Sequence, residues 1–123
     1  MTPEEYRDAV LDLVERIPPG RVMSYGGIAG YLADWSGRAS PRLVGQILAR
    51  HGRRPVPWHR VVQSSGRVAR GHEAEALRRL AAESTPLHAG RVDMRRAAWS
   101  PDEPPGYPGP GDRVPRRAPE AGG

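Results

Sequence analysis

Trp58, His59 and Arg60 follow one another in the run Pro57-Trp58-His59-Arg60-Val61-Val62, where the chain concentrates groups able to act on a ligand. An indole offers a broad apolar and π surface, an imidazole an acid or a base, and a guanidinium a rigid fork of donors. What the sequence lacks is equally informative. It contains no cysteine, and covalent catalysis needs an activated nucleophile. No Ser/His/Asp arrangement, metal-ligand cluster or phosphate loop takes its place, so a hydrolase or glycosylase would have to run on His59 and Glu83 alone. Disulfides and thiolate metal sites are excluded too, and neither a metal nor an organic cofactor is expected.

Two further residues stand out by position. Arg42 is the second residue of a helix opened by Ser40-Pro41, where the helix dipole disfavours a cation by a few tenths of a kcal/mol to about 1 kcal/mol. Something outside the helix must therefore favour it. Gly45 and Ala49 follow on the same side, a strip of small residues over which a DNA groove can come close. Tyr25 stands at the start of another helix, after Ser24, where backbone N–H groups point towards phosphate. Each has an ordinary alternative: Arg42 as a solvated surface charge, Tyr25 half-buried against the first helix, and Trp58 as a cover over the core.

The elements that must position these residues follow from capping and periodicity. Thr2-Pro3-Glu4-Glu5 is a capping box with proline at the first helical position, and Tyr6, Val10, Leu13, Val14 and Ile17 recur at helical spacing until Pro18-Pro19-Gly20. Ser24 caps a second helix from Tyr25 to about Leu32, with Ile28, Ala29 and Leu32 inward, and Asp34 to Ala39 is expected to be a polar turn containing Gly37. The third helix runs from Pro41 to about Arg50 with Val44, Ile47 and Leu48 apolar. Two helices around a glycine-containing turn make a helix-turn-helix pattern. Residues 51–57 read as a loop, Arg60 to Val62 as extended and Ser64-Ser65-Gly66 as a turn. Glu73 to Glu83 reads as a fourth helix with Leu77, Leu80 and Ala81 inward, and the chain beyond Thr85-Pro86 as extended or irregular to Trp99.

Composition bounds the whole. The chain has 123 residues, room for one domain with a modest core. From Ser100 onward half the residues are Pro or Gly and only Tyr107 and Val114 carry large apolar surface, so residues 100–123 are expected to be a disordered tail and 2–99 the folded domain. Three arginines against four carboxylates give that tail a charge of −1, so with a total of +5 the rest carries +6. A surplus of that size favours a polyanionic partner. All nineteen basic residues are Arg, which suits a GC-rich genome as well as a selected guanidinium surface. No stretch reaches the roughly 20 apolar residues of a membrane span, and the acidic N-terminus is unlike a signal peptide. A cytoplasmic protein is expected, nucleoid-associated when bound to DNA in a bacterium.

With Cys in place of Trp58, the central run would be the Pro-Cys-His-Arg-Val signature of O6-alkylguanine-DNA alkyltransferases, and the chain resembles their alkyltransferase-like branch, which binds alkylated guanine without repairing it. Val22-Met23-Ser24-Tyr25-Gly26 is similar to the family's Val-x-Ser-Tyr-Gly, and Arg42-Leu43-Val44-Gly45 to its Arg-Ala-Val-Gly. The likeness runs from about Glu5 to Glu83. It implies a mainly α fold, the alkyltransferase C-terminal-type domain with a winged helix-turn-helix and short extended segments. It implies that Arg42 enters the duplex from the minor groove and fills the space left by an extruded base, while Tyr25 presses on the neighbouring phosphate. Gly45 and Ala49 would lie against DNA. Trp58, Val61 through its backbone, Tyr25 and Gly71 would form the lesion pocket.

His59 and Glu83 correspond to the pair that polarises the thiol in the repairing enzymes. Without a thiol they are expected to support the pocket, with Arg60 tying the segment to neighbouring carbonyls or carboxylates. Gly71 falls near a pocket-closing Tyr of the family, which implies a wider pocket, and Arg70 beside it is a candidate contact to base or phosphate. His51-Gly52 occupies the family's Asn-Pro region in a shortened loop. The implied partners are double-stranded DNA containing O6-alkylguanine and the nucleotide excision repair proteins, with the protein a monomer. Stacking a base on an aromatic ring contributes roughly 1–3 kcal/mol, comparable with the few kcal/mol needed to extrude a nucleotide. A transcription regulator of winged-helix type is the competing class, but it usually reads bases with several side chains along its helix, and one Arg above small residues fits that poorly.

Overall fold

The computed structural model describes residues 1–50 and 54–103. Helix α1 (Pro3–Arg16) begins with the reciprocal Thr2/Glu5 capping box. It is followed by β1 (Met23–Ser24), α2 (Tyr25–Ser36), α3 (Pro41–Ala49), a single 3-10 turn at Trp58–Arg60, and β2 (Val61–Val62). The remainder is α4 (Glu73–Ala82), a hairpin of β3 (Leu87–His88) and β4 (Arg91–Val92), and the short α5 (Met94–Ala97). The expected mainly α architecture is what is seen.

Each helix of the helix-turn-helix is capped by a serine hydroxyl. Ser24 accepts from Gly27 N–H at 2.8 Å and Ser40 from Leu43 N–H at 3.1 Å. Such a cap contributes typically about 1 kcal/mol. The parallel pair β1–β2, with Met23 opposite Val61, divides the core. Because neighbouring strand residues face opposite ways, Met23 and Val61 join Tyr6, Val10, Val14, Ile28 and Val44 on one side. Val22 and Val62 join Val68, Ala76, Leu80, Val92 and Ala97 on the other. Trp58 packs against both clusters.

Four expectations need correction. Helix α2 continues through Asp34 to Ser36, and the turn begins only at Gly37, whose φ of +72° lets its N–H cap Ala33 O. Trp35 on this extra turn stays exposed and meets Tyr31 edge-on, centroids 5.2 Å apart, while Tyr31 itself also packs against the core. In α4 the buried residues are Ala76 and Leu80, one turn apart, while Ala81 is rotated off that face and exposed. Residues 85–99, expected extended or irregular, are extended in the hairpin strands but also form the helical turn α5, elements too short for periodicity to reveal. Lastly, residues 100–103 do not belong with the tail. Glu103 takes the Arg21 guanidinium at 2.8 and 3.1 Å, and Arg21 also donates to Ala97 O and Ala98 O. The rest of the expected tail, 104–123, and His51, Gly52 and Arg53 of the loop lie outside the described residues.

Candidate nucleic-acid interface and lesion cleft

The 3-10 turn at Trp58–Arg60 sends consecutive side chains to opposite sides of one wall. On the buried side, Arg60 forms a two-point fork with Glu83, Nε to Oε1 at 3.0 Å and Nη2 to Oε2 at 2.6 Å. Its Nη1 donates to Ile17 O at 2.8 Å, which ties the end of α1 to the same group. His59 Nε2 lies 2.9 Å from Glu83 Oε2. The Arg60 hydrogen bonds, with a smaller contribution from His59, pull the Glu83 carboxyl from its ordinary 4.5 down to about 2. Glu83 is the C-cap of α4, and a Cβ on Gly20 (φ +87°) would stand 3.3 Å from Glu83 O. The Pro18-Pro19-Gly20 turn thus closes over the carboxylate's backbone. His59, Arg60 and Glu83 form one assembly that fixes the turn.

On the other side, Trp58 faces a cleft of about 560 Å³, a size typical of small-molecule sites. Tyr25, Gly45, Ala49 and Arg70 line it with Trp58. Arg42, Gly45 and Ala49 share one stripe of α3, at i, i+3 and i+7. Gly45 and Ala49 border the cleft, whereas Arg42 stands exposed at the first turn, with no ion pair among the described residues. A Cβ on Gly45 would meet the Tyr25 ring at an ordinary contact distance of 3.8 Å, so the ring lies against the small-residue stripe of α3. Burial raises the Tyr25 hydroxyl's pKa above its ordinary value.

Two of the expected pocket residues, Val61 (through its backbone) and Gly71, are not among those lining the cleft. The Val61 side chain is fully buried in the core, and its N–H caps the 3-10 turn by donating to Trp58 O. Strand pairing with Met23 turns it away from the cleft. Gly71 does not line the cleft, although Arg70 and His72 on either side of it do. Its φ of +87° and the absence of any atom within 4 Å of a would-be Cβ make it an open bend.

Several cleft residues went unread in the sequence: Leu48, Ala69, His72 and Glu75. His72 meets the Trp58 ring with centroids 5.6 Å apart, and the Arg79 guanidinium stands 5.5 Å from the Trp58 centroid. Arg79 is itself held by Glu75 at 2.6 Å across one helical turn. Residues 72, 75 and 79 are spaced i, i+3, i+7 from the start of α4, a stripe that was legible had the helix been read for its outer face. Among the described residues no group of three or more His, Cys, Asp or Glu is arranged to hold a metal, and no helix is long and apolar enough to cross a membrane.

Residues 5–85 match the family model described as 6-O-methylguanine DNA methyltransferase, DNA binding domain. Alkyltransferase-like protein 1 of Schizosaccharomyces pombe is 40% identical over 71 residues, 57% of this chain and 63% of that protein. The chain belongs to the alkyltransferase-like proteins of this family. This alkyltransferase-like chain is also 30% identical over 105 residues to a DNA base-flipping protein of Vibrio parahaemolyticus, covering 80% of this chain and 99% of that one. The crystal structure of S. pombe Atl1 in complex with damaged DNA containing O6-carboxymethylguanine superposes with a TM-score of 0.70 at 30% identity, covering 82% of this chain and 100% of that chain. The alkyltransferase-like protein thus has the family's fold with an indole where the repairing members carry their acceptor sulfur.

Proposed function

We propose that this protein recognises O6-alkylguanine in duplex DNA by extruding the damaged nucleotide into the Trp58 cleft, and leaves the adduct unchanged. One observation carries the reading: the residue at the acceptor position is an indole forming the wall of a cleft that a flipped base can enter. In a chain without cysteine there is no thiol for the alkyl group to move to. The relatives support it, since they include DNA base-flipping proteins and a protein crystallised with damaged DNA.

In this reading the α3 stripe lies in the minor groove. Its small residues allow close approach, and Arg42 fills the gap left in the duplex. Tyr25 presses on the adjacent phosphate, and the base packs on Trp58 with Arg70 at the rim. Stacking contributes roughly 1–3 kcal/mol against an extrusion cost of a few kcal/mol. The cost falls for a poorly paired lesion, so one contact becomes selective. The His59–Arg60–Glu83 assembly keeps the wall in place and performs no chemistry. The bound complex, formed by a monomer in the bacterial cytoplasm, would flag the site for nucleotide excision repair.

The test compares a short duplex containing O6-methylguanine with the same duplex containing guanine at fixed salt, then recovers and analyses the modified base. Tighter binding to the lesion with the adduct intact is expected. Transfer or loss of the methyl group, or indifference to the lesion, would end the proposal.

A further inference from the structure

Arg70 borders two clefts. The second, about 320 Å³, lies between the turn that follows β2, the start of α4 and the tip of the β3–β4 hairpin. Its walls are held by close backbone approach. Gly66 N–H donates to Gln63 O and Gln63 N–H to Arg67 O, both at 2.8 Å, and Val92 N–H donates to Gly66 O at 2.9 Å. Gly66 (φ +90°) can carry no side chain, because a Cβ would stand 2.2 Å from Val92 O. That contact sets Arg67, next to Gly66, near Arg91, next to Val92. The hairpin turn itself, Ala89-Gly90, has both residues at positive φ (54° and 77°), the two-residue geometry that matches strand twist.

Arg67, Arg70 and Arg91 all line this cleft, together with Gln63. Among the described residues none of the three has a carboxylate within salt-bridge distance, whereas Arg21, Arg54, Arg60 and Arg79 each do. Glu73 also faces the cleft, but its Oε1 accepts the Gly71 N–H at 3.1 Å, and one carboxylate against three guanidiniums still leaves two positive charges in excess. Convergent like charges repel until an anion joins them, and the planar guanidinium fork matches phosphate oxygens.

We propose that this second cleft binds the phosphodiester backbone of the lesion-bearing strand beside the extruded nucleotide, an inference that rests on the reading of the Trp58 cleft given above. Continuity favours DNA over an acidic protein segment. Arg70 is the shared wall, so a strand whose base enters the Trp58 cleft carries its neighbouring phosphates past Arg70 towards Arg67 and Arg91.

The test is the double variant R67Q/R91Q, both sites exposed, measured by fluorescence anisotropy on lesion and unmodified duplexes across a salt series. The expected result is roughly tenfold weaker binding to both near ~0.1 M salt, with a slope of log K against log salt shallower by about 2. The lesion-to-guanine ratio stays unchanged. With the lesion placed close to one end, the loss should vanish for one end and persist for the other, and R67K/R91K should retain most of the binding. An unchanged slope, or an equal loss whichever end is shortened, overturns the proposal. So does intact duplex binding with lost affinity for a polyglutamate peptide, which would assign the cleft to an acidic protein segment. A wild-type protein indifferent to the lesion would remove the Trp58 reading while leaving the slope readable on unmodified DNA.

Discussion

The two sides of the 58–60 turn differ in what their side chains are free to do. Behind the wall, every charged group is spoken for: Glu83 receives Arg60 twice and His59 once, and Arg60 also reaches Ile17 O. In front, Trp58, Tyr25 and the α3 stripe present surface rather than bonds, and Arg42 stands exposed. Neighbouring residues in one short turn thus serve opposite ends. In the proposed reading the His59–Arg60–Glu83 assembly acts as a brace that ties the end of α1 to the end of α4, while Trp58 offers stacking area.

The comparison predicts that the two faces separate under mutation. The largest effect is expected behind the wall. Glu83→Gln should cost about 2–3 kcal/mol at neutral pH, because it leaves Arg60 without its anion in a mostly buried site, read from the urea midpoint. Glu83 also sets an acid dependence. Its folded pKa of about 2 lies below the ordinary 4.5, so the unfolded chain binds the proton first as pH falls. The stabilisation is complete above about 4.5 and is lost between 4.5 and 2. Urea midpoints of wild type should fall through that window, and those of Glu83→Gln should fall less. Lesion preference measured well below the melting temperature should survive this change.

In front of the wall the order reverses. Trp58→Ala should reduce the lesion-over-guanine ratio by about tenfold, the lower-to-middle part of the stacking range of ~1–3 kcal/mol. Equal loss on both duplexes would instead make Trp58 a general contact. Arg42→Ala should weaken both duplexes alike, by several-fold, without altering the ratio or the melting temperature. A change in the ratio would show that Arg42 reads the lesion. The smallest effect is expected at Arg79→Gln, which removes the cation beside the indole. An exposed cation–π contact contributes about 0.5 kcal/mol, so lesion affinity should fall about twofold, and Trp58 fluorescence should report the altered environment.

Much of this was legible before any coordinates. Thr2-Pro3 and Ser40-Pro41 announce helix starts because a hydroxyl cap and a proline each satisfy a local requirement of the first turn, independent of the rest of the fold. The α3 stripe follows from helical spacing; Glu83 follows from the family resemblance, and Arg60 is expected to tie its segment to carbonyls or carboxylates, as its bonds to Ile17 O and Glu83 do. Less legible was where α2 ends. Asp34 looks like a breaker, yet Ser36 donates to Leu32 O at 2.8 Å and the helix runs to Gly37. Val61 is expected in the pocket only through its backbone; the pairing with Met23 that sends its side chain into the core cannot be read from two residues. The hairpin escaped because two-residue strands have no period to detect.

By itself the sequence determined the capped helices, the absent thiol and the indole in its place, since these depend on residue type and on neighbours within a turn or two. Only tertiary structure decided which groups meet. Glu83 reaches Arg60 across 23 residues, and Arg21 reaches Glu103 across 82, contacts for which no local rule gives a direction. The same holds for Arg67 and Arg91, brought together because Gly66 has no side chain to keep Val92 away. Local preferences fix the chain over a few residues; packing of the two core clusters, with Trp58 between them, chooses the partners.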